Sequence, residues 1–161
     1  MIADDLVIEK GTSAGDDWLT VPADRVRDAL SALRDEGYTI LTFLTCVDHL
    51  ADSSKTFAER YEIVYELRDI EAPRDIRVRA FVGGETPHID SVHDLFPPAN
   101  WDERETYDMF GIVFEGHPDL SRILMPDDWV GHPLRRDFPV GGEHVEFSEE
   151  HETWQTAPDK A

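Results

Sequence analysis

Residues 103–139 read ERETYDMFGIVFEGHPDLSRILMPDDWVGHPLRRDFP, and this run restricts the chain more than any other. It interleaves alternating charges with aromatics and contains the tripeptide Gly-His-Pro twice, at Gly116-His117-Pro118 and Gly131-His132-Pro133. A proline pushes the residue before it into extended backbone and fixes its own φ near −65°, so each histidine is presented from a stiff turn. Charges alternating with Trp101, Tyr107, Met109 and Phe110 cannot all face water while the apolar side chains face a core. Some must be partly buried, where they need partners or cost several kcal/mol each. Such a run suits a rigid docking surface or an active site.

Several residues in it carry candidate chemistry. Glu103 and Glu105 are a conceivable acid/base pair. Two residues apart on a helix, however, they point about 200° from each other, which favours a buried ion-pair network or an interface. Arg104 and Asp108 are four apart and can pair, a contact worth about 0.2–0.5 kcal/mol on an exposed helix. A metal site would need His117 and His132 to converge with Asp119 or Asp137, and their spacing matches no compact metal motif. Histidines bonded to backbone or carboxylate are the better reading, for His88 and His93 as well. Arg122, Arg135 and Arg136 form the basic focus of an acidic chain, better suited to carboxylate partners than to phosphate, since no Gly-rich loop accompanies them. Nothing resembles a nucleophile elbow, a phosphate loop or a dinucleotide fingerprint.

Composition narrows the classes further. The 161 residues suit one domain, and 40% hydrophobic content suits a globular core. Cys46 is the single cysteine, so a self-contained iron–sulfur cluster or cysteine zinc site is excluded, and an inert core thiol is expected. The formal charge of −20 disfavours nucleic acid and anionic membrane surfaces. Lysine occurs only at positions 10, 55 and 160, and acids are spread along the whole chain, which fits a high-salt cytosol better than a strongly basic partner. No apolar run approaches the roughly 20 residues a bilayer span needs, and the Met1-Ile2-Ala3-Asp4-Asp5 start lacks the basic region of a secretory signal, so a cytosolic location is expected.

Residues 6–8 suggest a short strand, 11–15 a loop, and 18–21 a strand stopped by Pro22. Val26, Ala29, Leu30 and Leu33 fall at i, i+3, i+4, i+7 and predict an amphipathic helix over 23–36, with Pro22 in its first turn and Gly37 as cap. The nearly continuous apolar stretch 38–47 predicts a central strand covered on both faces. Strands over 61–67 and 76–82 predict a hairpin, with Ile76, Val78, Ala80 and Val82 on one face. A helix start over 91–96 is interrupted by Pro97-Pro98; Asn100 then caps a helix over 101–110, with Glu103 as reciprocal partner, ending at Gly111. The fold class is α+β: one domain over 1–139, a small mixed β-sheet with flanking helices and then an extended Pro/Gly-rich region, followed by an acidic tail, 140–161, which from Gly141 onward has only Val145, Phe147 and Trp154 as large apolar residues.

The series ERETYDMFGIVF at 103–114, then Gly116-His117-Pro118-Asp119-Leu120, Arg122-Ile123-Leu124 and Gly131-His132-Pro133-Leu134-Arg135-Arg136-Asp137-Phe138-Pro139, resembles the C-type subunit of proton-pumping NADH:quinone oxidoreductase, respiratory complex I. Weaker likeness extends back through Tyr61-Glu62-Ile63-Val64-Tyr65 to about Tyr38, and Ser121 departs from the pattern, where a basic residue is expected. The resemblance implies an obligate hetero-oligomer: a structural, non-catalytic subunit of the peripheral arm on the cytoplasmic side of the cell membrane. It would dock on the D-type subunit, which forms much of the quinone cavity, near the cluster-bearing subunits, and touch the membrane only through the complex. It implies no flavin, iron–sulfur cluster or quinone of its own; FMN, clusters and quinone belong to partner subunits. Residues 103–139 would form the docking face, and 140–161 would run over the D-type subunit as a strap. Related complexes using ferredoxin or deazaflavin, and membrane-bound hydrogenases, contain an equivalent subunit.

Overall fold

The computed structural model describes residues 4–13, 15–50, 52, 57 and 59–139. A five-stranded mixed sheet is built from β1 (Glu9–Ser13), β2 (Asp16–Val21), β3 (Ile40–Asp48), β4 (Tyr61–Asp69) and β5 (Arg74–Val82). Its spatial order is β1-β2-β5-β4-β3; β2 and β5 run parallel and the other neighbours antiparallel. Helices α1 (Val26–Asp35) and α2 (Ala99–Phe110) contribute to the same core as the inward side chains of the sheet. The short strands β6 (His88–Asp90) and β7 (Val113–Glu115) pair in parallel beside them. The mixed α+β class expected from the sequence is therefore the one observed.

α1 buries Val26, Ala29, Leu30 and Leu33, the four positions of its apolar stripe. Its first turn, Ala23–Arg25, is a 3₁₀ turn, and Pro22 stands just ahead of it rather than within it. The C-terminus closes as a Schellman motif: Tyr38 N–H donates to Leu33 O and Gly37 N–H to Arg34 O, both at 3.1 Å, with Gly37 at φ +109°. The β4–β5 hairpin forms as expected, and Ile76, Val78, Ala80 and Val82 all point inward.

Five local expectations are corrected. Residues 38–47 are not central: β3 is an edge strand covered on one face, and Phe43 and Val47 are exposed on the other. A bulge between Leu41 and Phe43 breaks its alternation, so Leu41 and Leu44, three apart, both point inward. The strand covered on both faces is β4, whose first five residues are all buried. Residues 6–8 do not form a strand; a 3₁₀ turn, Asp4–Leu6, precedes them, and the supposed loop at 11–15 holds most of β1. Gly11 lies opposite Trp18, where a Cβ would come within 2.7 Å of the indole, so cross-strand pairing, not local propensity, fixes this segment. Residues 91–96 make only a turn, closed by Phe96 N–H to Val92 O at 2.9 Å. Finally, α2 starts at Ala99 behind Pro98 without a side-chain cap; Asn100 lies inside it and the Glu103 carboxylate is engaged elsewhere. Residues 140–161, read as a tail, lie outside the described residues.

Candidate functional site

Helix α2 is the axis of the site, because both Gly-His-Pro segments fold back on it. The last four carbonyls of a helix lack intrahelical partners, and here each is met. Gly111 N–H donates to Tyr107 O at 2.8 Å, His132 Nδ1–H to Asp108 O at 3.0 Å, Leu134 N–H to Met109 O at 3.1 Å, and Arg135 Nε–H to Phe110 O at 2.5 Å. Arg135 also brings a cation to the negative end of the helix. Gly111 adopts φ +74°, and a Cβ there would sit on Arg135 Nη2 and within 2.5 Å of His132 Nε2. The second Gly-His-Pro run, with Leu134 and Arg135, is thus a C-terminal cap supplied from more than twenty residues away.

The first Gly-His-Pro run serves the opposite end. His117 Nε2–H donates to Asn100 O at 3.1 Å, while its Nδ1 accepts Asp119 N–H at 3.1 Å, which fixes a neutral tautomer. Burial pulls the pKa of His117 and of His132 below the usual imidazole value, consistent with neutral rings. The two histidines therefore hold opposite ends of α2 and do not converge, and among the described residues no three His, Cys, Asp or Glu side chains gather as a metal set.

Asp108 is the centre of the loop contacts. It is fully buried; its Oδ2 accepts N–H bonds from Ile123, Leu124 and Met125 at 3.1, 2.8 and 2.8 Å, and its Oδ1 accepts Arg122 Nη1 at 2.5 Å. Burial alone would raise its pKa, but these donors together outweigh it and hold the carboxyl below its ordinary value. Arg122 passes the contact on, donating through Nη2 to Trp129 O and Gly131 O, both at 3.1 Å. Arg104 does not pair with Asp108. Its guanidinium donates to Ser121 O, Ser121 Oγ and Arg122 O at 3.0–3.1 Å, so Ser121, the departure from the pattern, acts as an acceptor.

Glu103 faces the other way, with none of its surface exposed. It accepts Ser91 Oγ–H at 2.5 Å and Val92 N–H at 2.7 Å, tying α2 to the turn after β6. Burial dominates these bonds and raises its pKa to about 7. Glu105 is exposed on the outer face of the helix, so the two glutamates do not share a site. Phe110 is buried in the core, and Pro118 is exposed while Pro133 is half-buried.

The end of the run is held by residues that local patterns did not single out. Arg60 donates to Asp48 at 2.7 and 2.9 Å and to Asp137 at 2.8 and 3.1 Å, and Asp48 Oδ2 also accepts the backbone N–H of Arg136 at 2.9 Å. Burial opposes ionisation of Asp48, but Arg60 and the two backbone donors win and bring its pKa down to about 2. The guanidinium carbons of Arg60 and Arg135 lie over the Tyr61 ring, 4.7 and 5.5 Å from its centroid. Asp48, Arg60 and Ser91 carry no motif; the one sequence hint is an acid closing the apolar run of β3.

Fold and site define a class: a small α+β domain in which ionisable side chains brace a long C-terminal region against one helix. A family model described as "Respiratory-chain NADH dehydrogenase, 30 Kd subunit" matches residues 19–144, and the chain belongs to that family. It is 42% identical over 136 residues to the C-type NADH-quinone oxidoreductase subunit of Salinispora tropica, covering 83% of this chain and 54% of that protein. The corresponding protein of Roseiflexus castenholzii is 42% identical over 147 residues, covering 89% and 82%. The chain thus spans about half the length of some curated relatives and most of others. Among solved structures, a trypsin-resistant fragment of Nqo5 superposes with a TM-score of 0.65 at 34% identity, covering 70% of this chain and 89% of that one. A chain of the archaeal membrane-bound sulfane sulfur reductase superposes with a TM-score of 0.70 at 26% identity, covering 82% and 77%.

Proposed function

We propose that this chain is the structural C-type subunit of a proton-translocating NADH:quinone oxidoreductase, held in the peripheral arm on the cytoplasmic face of the membrane and docked on the D-type subunit beside the quinone cavity. The observation that carries this reading is how the motif uses its ionisable groups. Glu103, Arg104, Asp108, His117, Arg122, His132 and Arg135 direct functional atoms at main-chain partners of the same chain. Side chains so engaged shape a surface rather than hold a reacting molecule. FMN, iron–sulfur clusters and quinone would reside in the cluster-bearing and quinone-binding partners. No helix among the described residues is long and apolar enough to cross a membrane.

Under this reading residues 103–139 form the docking face and 140–161 extend it as a strap over the D-type subunit. Removing residues 140–161 should weaken capture by that purified partner while the remaining chain still melts cooperatively; unchanged capture would refute the strap. A second reading, the equivalent subunit of a related membrane complex with another electron donor, is supported by the likeness to the archaeal sulfane sulfur reductase chain. Identifying the proteins and flavin that co-purify from native membranes distinguishes the two.

A further inference from the structure

Residues 129–138 form a loop that is fixed on its inner side and presents both apolar and charged side chains on its outer side. Trp129 and Phe138 stack at 6.3 Å between ring centroids, and Gly131, at φ +94°, lies so close under Phe138 that a Cβ would approach the ring within 2.8 Å. Arg122 holds the carbonyls of Trp129 and Gly131, Leu134 N–H is bonded to α2, and Arg136 N–H is bonded to Asp48. With its backbone held at so many points, the loop cannot fold its outward side chains away. Those side chains include Val130, 87% exposed, Leu134, 54% exposed, and the exposed Arg136, with the half-exposed Asp137 turned to Arg60. Leu124, 60% exposed, stands on the adjoining segment anchored by Asp108.

Arg136 differs from its neighbours in charge terms. Asp137 is committed to Arg60, and the Arg135 side chain to the end of α2, whereas the Arg136 guanidinium has no ion-pair partner among the described residues. In a chain with 35 acids and 15 basic residues, a cation with no ion-pair partner among the described residues, beside projecting apolar side chains, is complementary to a carboxylate from a partner protein. A planar guanidinium takes a carboxylate in two parallel hydrogen bonds, and apolar neighbours strengthen that pair by excluding water. Rigid presentation also lowers the entropy lost on binding.

We infer that Val130, Leu134 and Arg136 form a preformed anchor for a partner-protein segment that carries a carboxylate between apolar side chains, with Leu124 at its margin. The inference rests on the docking role proposed above and assigns the contact to this loop rather than to the whole of 103–139. The −20 charge of the chain repels an acidic partner at long range, but beyond about 8 Å that field is screened at physiological salt, while the direct contact is not.

The test measures binding of the full chain to the purified D-type subunit by calorimetry at physiological salt. Leu134→Asp and Arg136→Glu should each weaken binding by about tenfold or more, as central contacts of an interface do, while Arg136→Glu melts at the wild-type value and Leu134→Asp, whose side chain is 54% exposed, within a few degrees of it. Arg136→Lys should recover only part of the loss, because an ammonium does not form the two-pronged pair. A photo-crosslinker at Val130 should label a peptide of that partner containing Asp or Glu. Wild-type affinity in both substituted chains would overturn the anchor while leaving the docking reading intact. No binding by the wild-type chain would overturn the docking reading and the anchor with it.

Discussion

Asp48 Oδ2 accepts the backbone N–H of Arg136 at 2.9 Å, joining the end of an edge strand to a loop 88 residues further on. The same carboxylate binds Arg60, which reaches on to Asp137, so one buried acid holds both the main chain and a side chain of the motif's last turn. Removing a buried member of such a network leaves its partners unsatisfied, at about 3–5 kcal/mol. Asp48→Ala should therefore destabilise the chain by that order, whereas Asp137→Asn should change stability by less than about 1 kcal/mol, because Asp137 is half exposed. Urea titration of both variants checks this, and equal losses would contradict it.

Gly111 and Gly116 both adopt positive φ, +74° and +82°, so alanine at either position should cost about 1–2 kcal/mol in backbone strain. Only at Gly111 would the added methyl meet Arg135 and His132; around Gly116 there is open space. Gly111→Ala should thus lower stability by about 1–3 kcal/mol more than Gly116→Ala. Matching denaturation midpoints for the two variants would show that the helix cap does not press on Gly111.

Glu103 predicts an unusual pH dependence. Burial raises its carboxyl from 4.5 to about 7, so between these values the folded chain binds a proton that the unfolded chain has released. Its contribution is fully present below about 4.5 and is lost as pH rises through 7, amounting to about 3 kcal/mol at most. Glu103→Gln mimics the protonated form and should remove this slope, matching wild type near pH 5 and exceeding it at pH 8. Asp48 works in the opposite sense: its lowered pKa stabilises above 3.8 and that gain is lost as pH falls towards 2. Urea midpoints of wild type and the Gln variant from pH 5 to 8 provide the measurement, and parallel curves would sink the assignment.

Cys46 is buried on the inner face of β3, and burial raises its thiol pKa well above the ordinary value. It should react with a disulfide reagent only at the rate of opening or unfolding, so adding urea below the midpoint should accelerate labelling. Rapid stoichiometric labelling of the native chain would mean that the strand edge is far more open than the geometry indicates.

The sequence determined what depends on short-range periodicity and backbone chemistry. The stripe Val26, Ala29, Leu30 and Leu33, the Gly37 and Gly111 caps, the inward face of β5 and the need to bury charge near residue 108 all follow from local spacing. It misread β1 and β3, because whether an apolar residue such as Phe43 faces a core or solvent depends on the strand's place in the sheet. Only the tertiary structure decided that Glu103 reaches Ser91 instead of capping its own helix, that Asp108 turns from Arg104 to Arg122, and that Asp48 and Arg60 belong to the site. A buried charge takes whichever donor the folded chain brings within about 3 Å, and chain separation carries no information about that distance.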